Sequence, residues 1–108
     1  MKKDKEITEV IFRKEKNGDI LAVFPYEPYN DIVGMVGCYA HTGQHSGCQY
    51  DYIKEETKPA KPDEYNDLLA ELTDIGYNFD IKKRWSWSKY LRAYRQMMAV
   101  HYQLERAV

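Results

Sequence analysis

Residues 10–25 read VIFRKEKNGDILAVFP, two apolar runs on either side of Asn17-Gly18. Asn-Gly is the dipeptide that most readily adopts positive φ at both central positions of a type I′ turn, so this stretch predicts a β-hairpin with a two-residue loop. That loop would set Phe12 opposite Val23 and would place four apolar side chains on one face. The predicted core face of the hairpin therefore consists of Val10, Phe12, Leu21 and Val23.

The chain after the hairpin alternates between breakers and short strand-like runs. Residues 25–31 contain two prolines, which cannot donate to a sheet, and predict an aromatic loop. Met35–Ala40 and residues 49–53 predict a second antiparallel pair, and residues 54–61 predict a polar loop. Residues 77–81 alternate again and predict a short strand that returns to the sheet.

Two helices are predicted in the second half of the chain. Pro62 suits the first helical position, Gly76 ends the helix, and apolar residues recur between them at Tyr65, Leu68, Leu69, Leu72 and Ile75. Ser86 or Ser88 would cap a last helix that runs to about Arg106. The sequence thus predicts an α+β fold, a small antiparallel sheet of three to five strands packed against two helices, the second C-terminal and amphipathic. The predicted core adds five residues to those of the hairpin: Leu68, Leu69, Leu72, Ile75 and Leu91.

Length and composition indicate a single α+β domain of residues 1–108, with a frayed tail at residues 1–6 and a basic C-terminal helical segment at residues 82–108. No apolar run approaches the ~18 residues that a membrane span requires. No signal-peptide pattern follows the first residues, so we expect a cytoplasmic protein without a membrane partner. Its two cysteines are then expected to be thiols or ligands rather than a disulfide.

Charge is distributed unevenly along the chain. Residues 1–80 carry a net charge of −7 and residues 81–108 a net charge of +6. Residues 82–95 hold six cations, four aromatic residues and no acid, a composition typical of contact with single-stranded nucleic acid. The alternative is that these cations complement the protein's own acidic body. The predicted partner-binding residues are Lys82, Lys83, Arg84, Trp85, Lys89, Arg92 and Arg95.

A short segment concentrates the residues that could bind a metal. Residues 38–48 read CYAHTGQHSGC, which has the pattern C-x2-H-x3-H-x2-C. Thiolates and imidazoles are ligands that zinc prefers, so the predicted metal site is Cys38, His41, His45 and Cys48. Zinc fingers usually separate their two ligand pairs by a dozen residues or more, and a polar hairpin loop with small buried cysteines is the alternative. No recognisable signature of a cysteine nucleophile surrounds either thiol, and no catalytic residue is predicted.

Five segments between residues 9 and 78 form a further pattern. They read VIFRK (10–14), GDILAVFP (18–25), CYAHTGQHS (38–46), TKPA (57–60) and ELTDIGYN (71–78). Together they resemble small uncharacterised proteins carried by phages and mobile elements of gut anaerobes, and the H-x-G-Q-H loop at residues 41–45 is the most specific part. The cysteine positions vary in that family, so the resemblance favours the histidine loop as the shared feature. It brings no known activity and implies an accessory protein that acts by binding.

Three functions follow from these patterns. The leading hypothesis is a small binding module, without a cofactor, whose basic C-terminal segment contacts nucleic acid or an acidic protein. The first alternative is a zinc-binding protein with a structural or hydrolytic Cys/His loop. The second is a homo-oligomer that associates through its aromatic surface. The salt dependence of binding distinguishes the leading hypothesis from the two alternatives, because affinity for phosphates falls steeply with ionic strength.

Overall fold

The computed structural model describes residues 7–40 and 44–106. In these residues it contains six strands and three helices, so the α+β class is confirmed, whereas the prediction of two helices is wrong. In chain order the elements are β1 (Thr8–Glu15), β2 (Ile20–Pro28), β3 (Met35–Ala40), β4 (Gln44–Gln49), α1 (Tyr50–Glu56), β5 (Thr57–Pro59), α2 (Pro62–Ile75), β6 (Phe79–Ile81) and α3 (Trp87–Arg106).

The sheet has the strand order β4-β3-β2-β1-β5, and every pair along this path is antiparallel. The far edge of β1 is shared by two short strands. β5 pairs with residues 13–15 of β1, and β6 pairs with residues 8–10 in the parallel direction. Because two strands use one edge, the sheet is mixed and has more strands than the three to five that the sequence predicts.

The hairpin between β1 and β2 forms where it was predicted, but its register differs by one residue. The Glu15 N–H donates to the Asp19 carbonyl and the Gly18 N–H to the Glu15 carbonyl, both at 2.8 Å, so the loop has three residues rather than two. Gly18 has φ 96°, and no other residue type has positive φ in the described parts of the chain. This is the conformation of a type I turn followed by a glycine bulge. Its register sets Ile11, rather than Phe12, opposite Val23.

This shift changes which side chains share a face, because side chains alternate along a strand. The predicted single core face of four hairpin residues is therefore wrong, and both faces of the sheet are buried. One face contributes to a cluster with α2: Val10, Phe12, Ala22, Phe24, Tyr39, Leu68 and Leu72. The other contributes to a cluster with α1 and α3: Ile11, Leu21, Val23, Val36, Cys38, Tyr50, Ile53 and Tyr90.

Helix α2 is confirmed at the predicted residues. The Lys61 N–H donates to Glu64 Oε1 at 2.9 Å before the first turn, and Gly76, with φ 122°, follows the last. Leu68 and Leu72 are fully buried, as predicted. Ile75, by contrast, is 54% exposed, so its assignment to the core is wrong.

The secondary structure differs from the prediction at the two prolines and in the segment after β4. Strand β2 continues through Pro25 as far as Pro28, with an irregularity in its pairing between Phe24 and Pro28. Residues 49–53 are not a strand, because β4 ends at Gln49 and α1 begins at Tyr50. The predicted polar loop at residues 54–61 contains the end of α1 and all of β5.

Helix α3 packs on the face of the sheet that α1 also covers. Tyr90 is fully buried there, and its hydroxyl accepts from the Gly34 N–H at 2.7 Å and donates to the Met35 carbonyl at 3.2 Å. Ser86 Oγ accepts from the Lys89 N–H at 3.2 Å, so Ser86 caps the helix. No helix in the described residues is long and apolar enough to span a membrane.

Candidate functional site

A cleft of about 570 Å³ lies where β1, α1 and the connection from β6 to α3 meet. Strand β1 contributes one residue to its wall, α1 contributes three, and residues 83–87 contribute the rest. We call it the basic–aromatic cleft, since four cations and three aromatic rings line it beside a single acid. Its lining residues are Arg13, Tyr50, Asp51, Lys54, Lys83, Arg84, Trp85 and Trp87.

Arg13 is the most unusual residue of the cleft because its charged side chain is only 7% exposed. Its Nε donates to Thr57 Oγ1 at 2.8 Å, and one terminal nitrogen donates to the carbonyls of Thr57 at 2.8 Å and Ile53 at 3.2 Å. Its guanidinium carbon also lies 5.3 Å from the centroid of the Trp85 ring. These contacts fix the orientation of the side chain against the cleft wall.

The Arg13 guanidinium has no carboxylate partner among the residues that the structure describes. Burial lowers its pKa from the usual value, because the charged form loses solvation. Buried charges in proteins are normally paired, since an unpaired charge is costly in a medium of low dielectric constant. The cleft therefore presents a buried positive charge whose counter-ion the described residues do not provide.

Three further cations stand at the surface of the cleft, and all are exposed: Lys54, Lys83 and Arg84. Like Arg13, they form no ion pair within residues 7–40 and 44–106. Asp51 is the one carboxylate in the lining. The charge of the cleft is therefore strongly positive, although the chain as a whole is nearly neutral.

The aromatic wall of the cleft is organised around Tyr50. Its ring meets those of Trp85 and Trp87 nearly at right angles, with centroid distances of 5.5 and 4.9 Å. Trp87 also stacks on Tyr90 at 5.2 Å and remains 45% exposed. A large aromatic side chain that is half exposed beside cations can stack on a planar ligand.

The hydroxyl of Tyr50 is buried and has no hydrogen-bond partner in the described part of the structure. Burial raises the pKa of this phenol well above its usual range. A buried hydroxyl without a partner is unfavourable, because it has lost its bonds to water without replacing them. The Tyr50 hydroxyl has almost no accessible surface, so the Arg13 charge is the buried polar group of the wall that a ligand can reach.

The predicted partner-binding residues divide into three groups in the structure. Lys83, Arg84 and Trp85 lie in the cleft, whereas Arg92 and Arg95 are exposed on α3. The other two lysines are engaged with the protein's own acids. Lys82 pairs with Asp80 at 3.1 Å, and Lys89 pairs with Glu9 at 2.5 Å and lies 4.4 Å from the Tyr26 ring centroid.

The predicted zinc ligands lie on opposite faces of the sheet. Cys38 and Cys48 belong to the face covered by α1 and α3, and a hydrogen bond from Cys48 lowers the pKa of Cys38 to about 7. His45 lies on the other face, where its Nε2 is 3.0 Å from the Tyr77 hydroxyl. His41 lies outside the described residues. Within those residues, no three histidines, cysteines or acids form a group that could hold a metal ion.

Five cleft residues were not among the predicted site residues: Arg13, Tyr50, Asp51, Lys54 and Trp87. Arg13 carried one signal in the sequence, since it is a charged residue at the end of the apolar run 10–12. The others are recognised only once α1 is folded against the residues that precede α3. Comparison of the chain with protein-family models, curated proteins and solved structures finds no match, so function has to be inferred from the residues themselves.

Proposed function

We propose that the protein binds single-stranded nucleic acid at the basic–aromatic cleft. The observation that carries this proposal is the buried guanidinium of Arg13, which has no carboxylate partner within the described residues. It faces a cleft with three more cations that form no ion pair in that part of the chain. Phosphates are the anions that such a set of arginine and lysine side chains binds best. A bound phosphate would supply the counter-ion that Arg13 lacks.

The aromatic rings favour nucleic acid over an acidic protein as the partner. An acidic peptide would satisfy the cations but would make little use of the indole of Trp87, which stands 45% exposed beside them. Stacking of a base on an aromatic side chain contributes ~1–3 kcal/mol and tolerates any base. Bases in a duplex already stack on each other, so a single strand is the form that can offer its ring faces to Trp87.

Helix α3 would extend this surface as an amphipathic helix. Tyr90 lies on its buried side, while Arg92 and Arg95 are exposed and can follow the phosphate backbone beyond the cleft. An accessory protein of a phage or mobile element, the role that the sequence resemblance implies, would use such a module to attach to nucleic acid.

The proposal is tested by fluorescence anisotropy with a labelled single strand of about ten nucleotides, over a range of salt concentrations. Combined Lys83→Ala and Arg84→Ala should reduce the slope of log affinity against log salt by about two, one for each lost phosphate contact. The matched control removes two charges elsewhere, by Lys16→Ala and Lys58→Ala, and should leave the slope nearly unchanged. Equal slopes for the two double variants, or no salt-dependent binding by the wild type, would contradict the proposal.

A second candidate function, zinc binding, is favoured by one observation. The thiols of Cys38 and Cys48 lie on adjacent strands and on the same face of the sheet, and two neighbouring thiols are suitable soft ligands. If zinc is bound, Cys48→Ser should lower both the metal content and the melting temperature. Elemental analysis of the purified protein tests this second candidate directly.

A further inference from the structure

The depth of Arg13 restricts the kind of phosphate that can reach it. Its side chain is 7% exposed, whereas Lys54, Lys83 and Arg84 are exposed at the surface of the cleft. A phosphate within a strand carries a sugar on each side, which holds it at the surface. A phosphate at the end of a strand has a single substituent, so it can enter a recess with its three free oxygens foremost.

The charge of the cleft also fits a terminal phosphate. Four cations line it beside the single carboxylate of Asp51. A phosphomonoester carries a charge of about −1.5 to −2 at neutral pH, whereas a phosphate inside a strand carries one negative charge. The larger charge offsets more of the unpaired positive charge that the cleft contains.

The donors in the wall match the three oxygens of such a group. The hydrogen bonds of Arg13 to Thr57 and Ile53 use its Nε and one terminal nitrogen, and the second terminal nitrogen takes part in none of them. Lys54 and Lys83, which are exposed in the lining, add two ammonium groups. The Arg13 side chain is held by its hydrogen bonds, so it loses little conformational freedom when it binds.

We infer that the basic–aromatic cleft receives the terminal phosphate of a single strand, with the end base stacked on Trp87 outside it. This inference rests on the proposed function, because it specifies which part of the nucleic acid occupies the cleft. Phosphates at the 5′ and 3′ ends share this chemistry, and the experiment below distinguishes them.

The test compares four oligonucleotides of one sequence: with a 5′-phosphate, with a 3′-phosphate, with neither, and with neither but one nucleotide longer. The longer strand controls for added charge. We expect one of the two end-phosphorylated strands to bind about tenfold or more tightly than the longer strand, as charge-assisted hydrogen bonds in a recess predict. Inorganic phosphate should compete with that strand more effectively than with the unphosphorylated one.

Two variants assign the preference to the cleft without disturbing the bonds of Arg13. Lys54→Ala and Lys83→Ala should each reduce the preference for the end-phosphorylated strand several-fold, while the control Lys58→Ala should retain it. An unchanged preference in both cleft variants would place the end phosphate elsewhere and overturn the inference. Equal affinity for all four strands would overturn it while leaving the proposed function intact. Failure of every strand to bind would overturn both.

Discussion

Replacing Tyr50 with phenylalanine should stabilise the free protein. The Tyr50 side chain is 7% exposed, and its hydroxyl has no hydrogen-bond partner among the described residues. A buried polar group left without a partner costs ~1–3 kcal/mol relative to its hydrated state. Phenylalanine keeps the ring and its contacts with Trp85 and Trp87 but removes the hydroxyl. We therefore expect the free energy of unfolding to rise by about 1 kcal/mol or more.

Tyr90 provides the matched control, because its ring lies 5.4 Å from that of Tyr50 and is also buried. Its hydroxyl, unlike that of Tyr50, is bonded to the backbone of both Gly34 and Met35. Tyr90→Phe leaves the Gly34 N–H and the Met35 carbonyl without this partner, so it should destabilise the protein by ~1–3 kcal/mol. Removal of the hydroxyl is thus expected to raise the free energy of unfolding at Tyr50 and to lower it at the neighbouring Tyr90.

Urea unfolding followed by tryptophan fluorescence measures both effects, since the two tryptophans of the chain, Trp85 and Trp87, adjoin Tyr50. The midpoint should rise for Tyr50→Phe and fall for Tyr90→Phe at an unchanged slope. For a domain of this size, 1 kcal/mol corresponds to about 4–8 °C in melting temperature. The reasoning is refuted if Tyr50→Phe destabilises the protein as much as Tyr90→Phe does, because the hydroxyl would then have a partner.

Three further predictions follow from packing and charge. Leu72→Ala should lower the free energy of unfolding by ~2–5 kcal/mol, whereas Ile75→Ala, at an exposed position of the same helix, should change it by ~0.5 kcal/mol or less in urea unfolding. Gly47→Ala should cost ~1–3 kcal/mol, because its methyl group would lie 2.3 Å from the ring of Tyr29, and a Tyr29→Ala background should remove that cost in a double-mutant cycle. Lys89→Ala should hardly change the salt slope of nucleic-acid binding, since its ammonium is already paired with a carboxylate 2.5 Å away.

The sequence was sufficient where local signals determine structure. Pro62 and Gly76 delimit α2, and Met35–Ala40 is a strand at the predicted residues, because helix ends and short apolar strands depend mainly on neighbouring residues. The hairpin was also located correctly. Its register was not, because an Asn-Gly dipeptide is compatible with a two-residue loop and with a three-residue loop that ends in a glycine bulge.

The composition of β1 and β2 contained information about the register that the prediction did not use. Residues 10–12 and residues 21–24 are apolar at every position, which is typical of strands buried on both faces rather than on one. The prediction of a single core face was therefore wrong, whether the hairpin loop was taken to have two residues or three. With helices on both faces, the register is decided by how the two clusters pack, and that packing involves residues far apart in the chain.

The cleft could not be predicted for the same reason. Arg13 and Lys83 are separated by about two thirds of the chain and meet only after β6 has paired with β1. The basic composition of residues 82–95 did indicate part of the lining of the cleft. It did not show that Lys82 and Lys89 would be paired internally while Lys83 and Arg84 would form no ion pair within the described residues.

In this protein, the number of cations in a segment is a poorer guide to function than whether each cation already forms an ion pair with an acid of the same chain. Part of the positive charge of the basic segment is neutralised within the fold, since Lys82 pairs with Asp80 and Lys89 pairs with Glu9. If the cations of the cleft served only to neutralise the protein's own acids, Arg13 would be expected to have a carboxylate partner, because it is the most buried of the four. The described residues give it carbonyl and hydroxyl oxygens and the ring of Trp85, but no carboxylate. A well-packed apolar residue would avoid the cost of desolvating that charge. Under the proposed function, a phosphate taken up from solution would supply the counter-ion and would offset that cost.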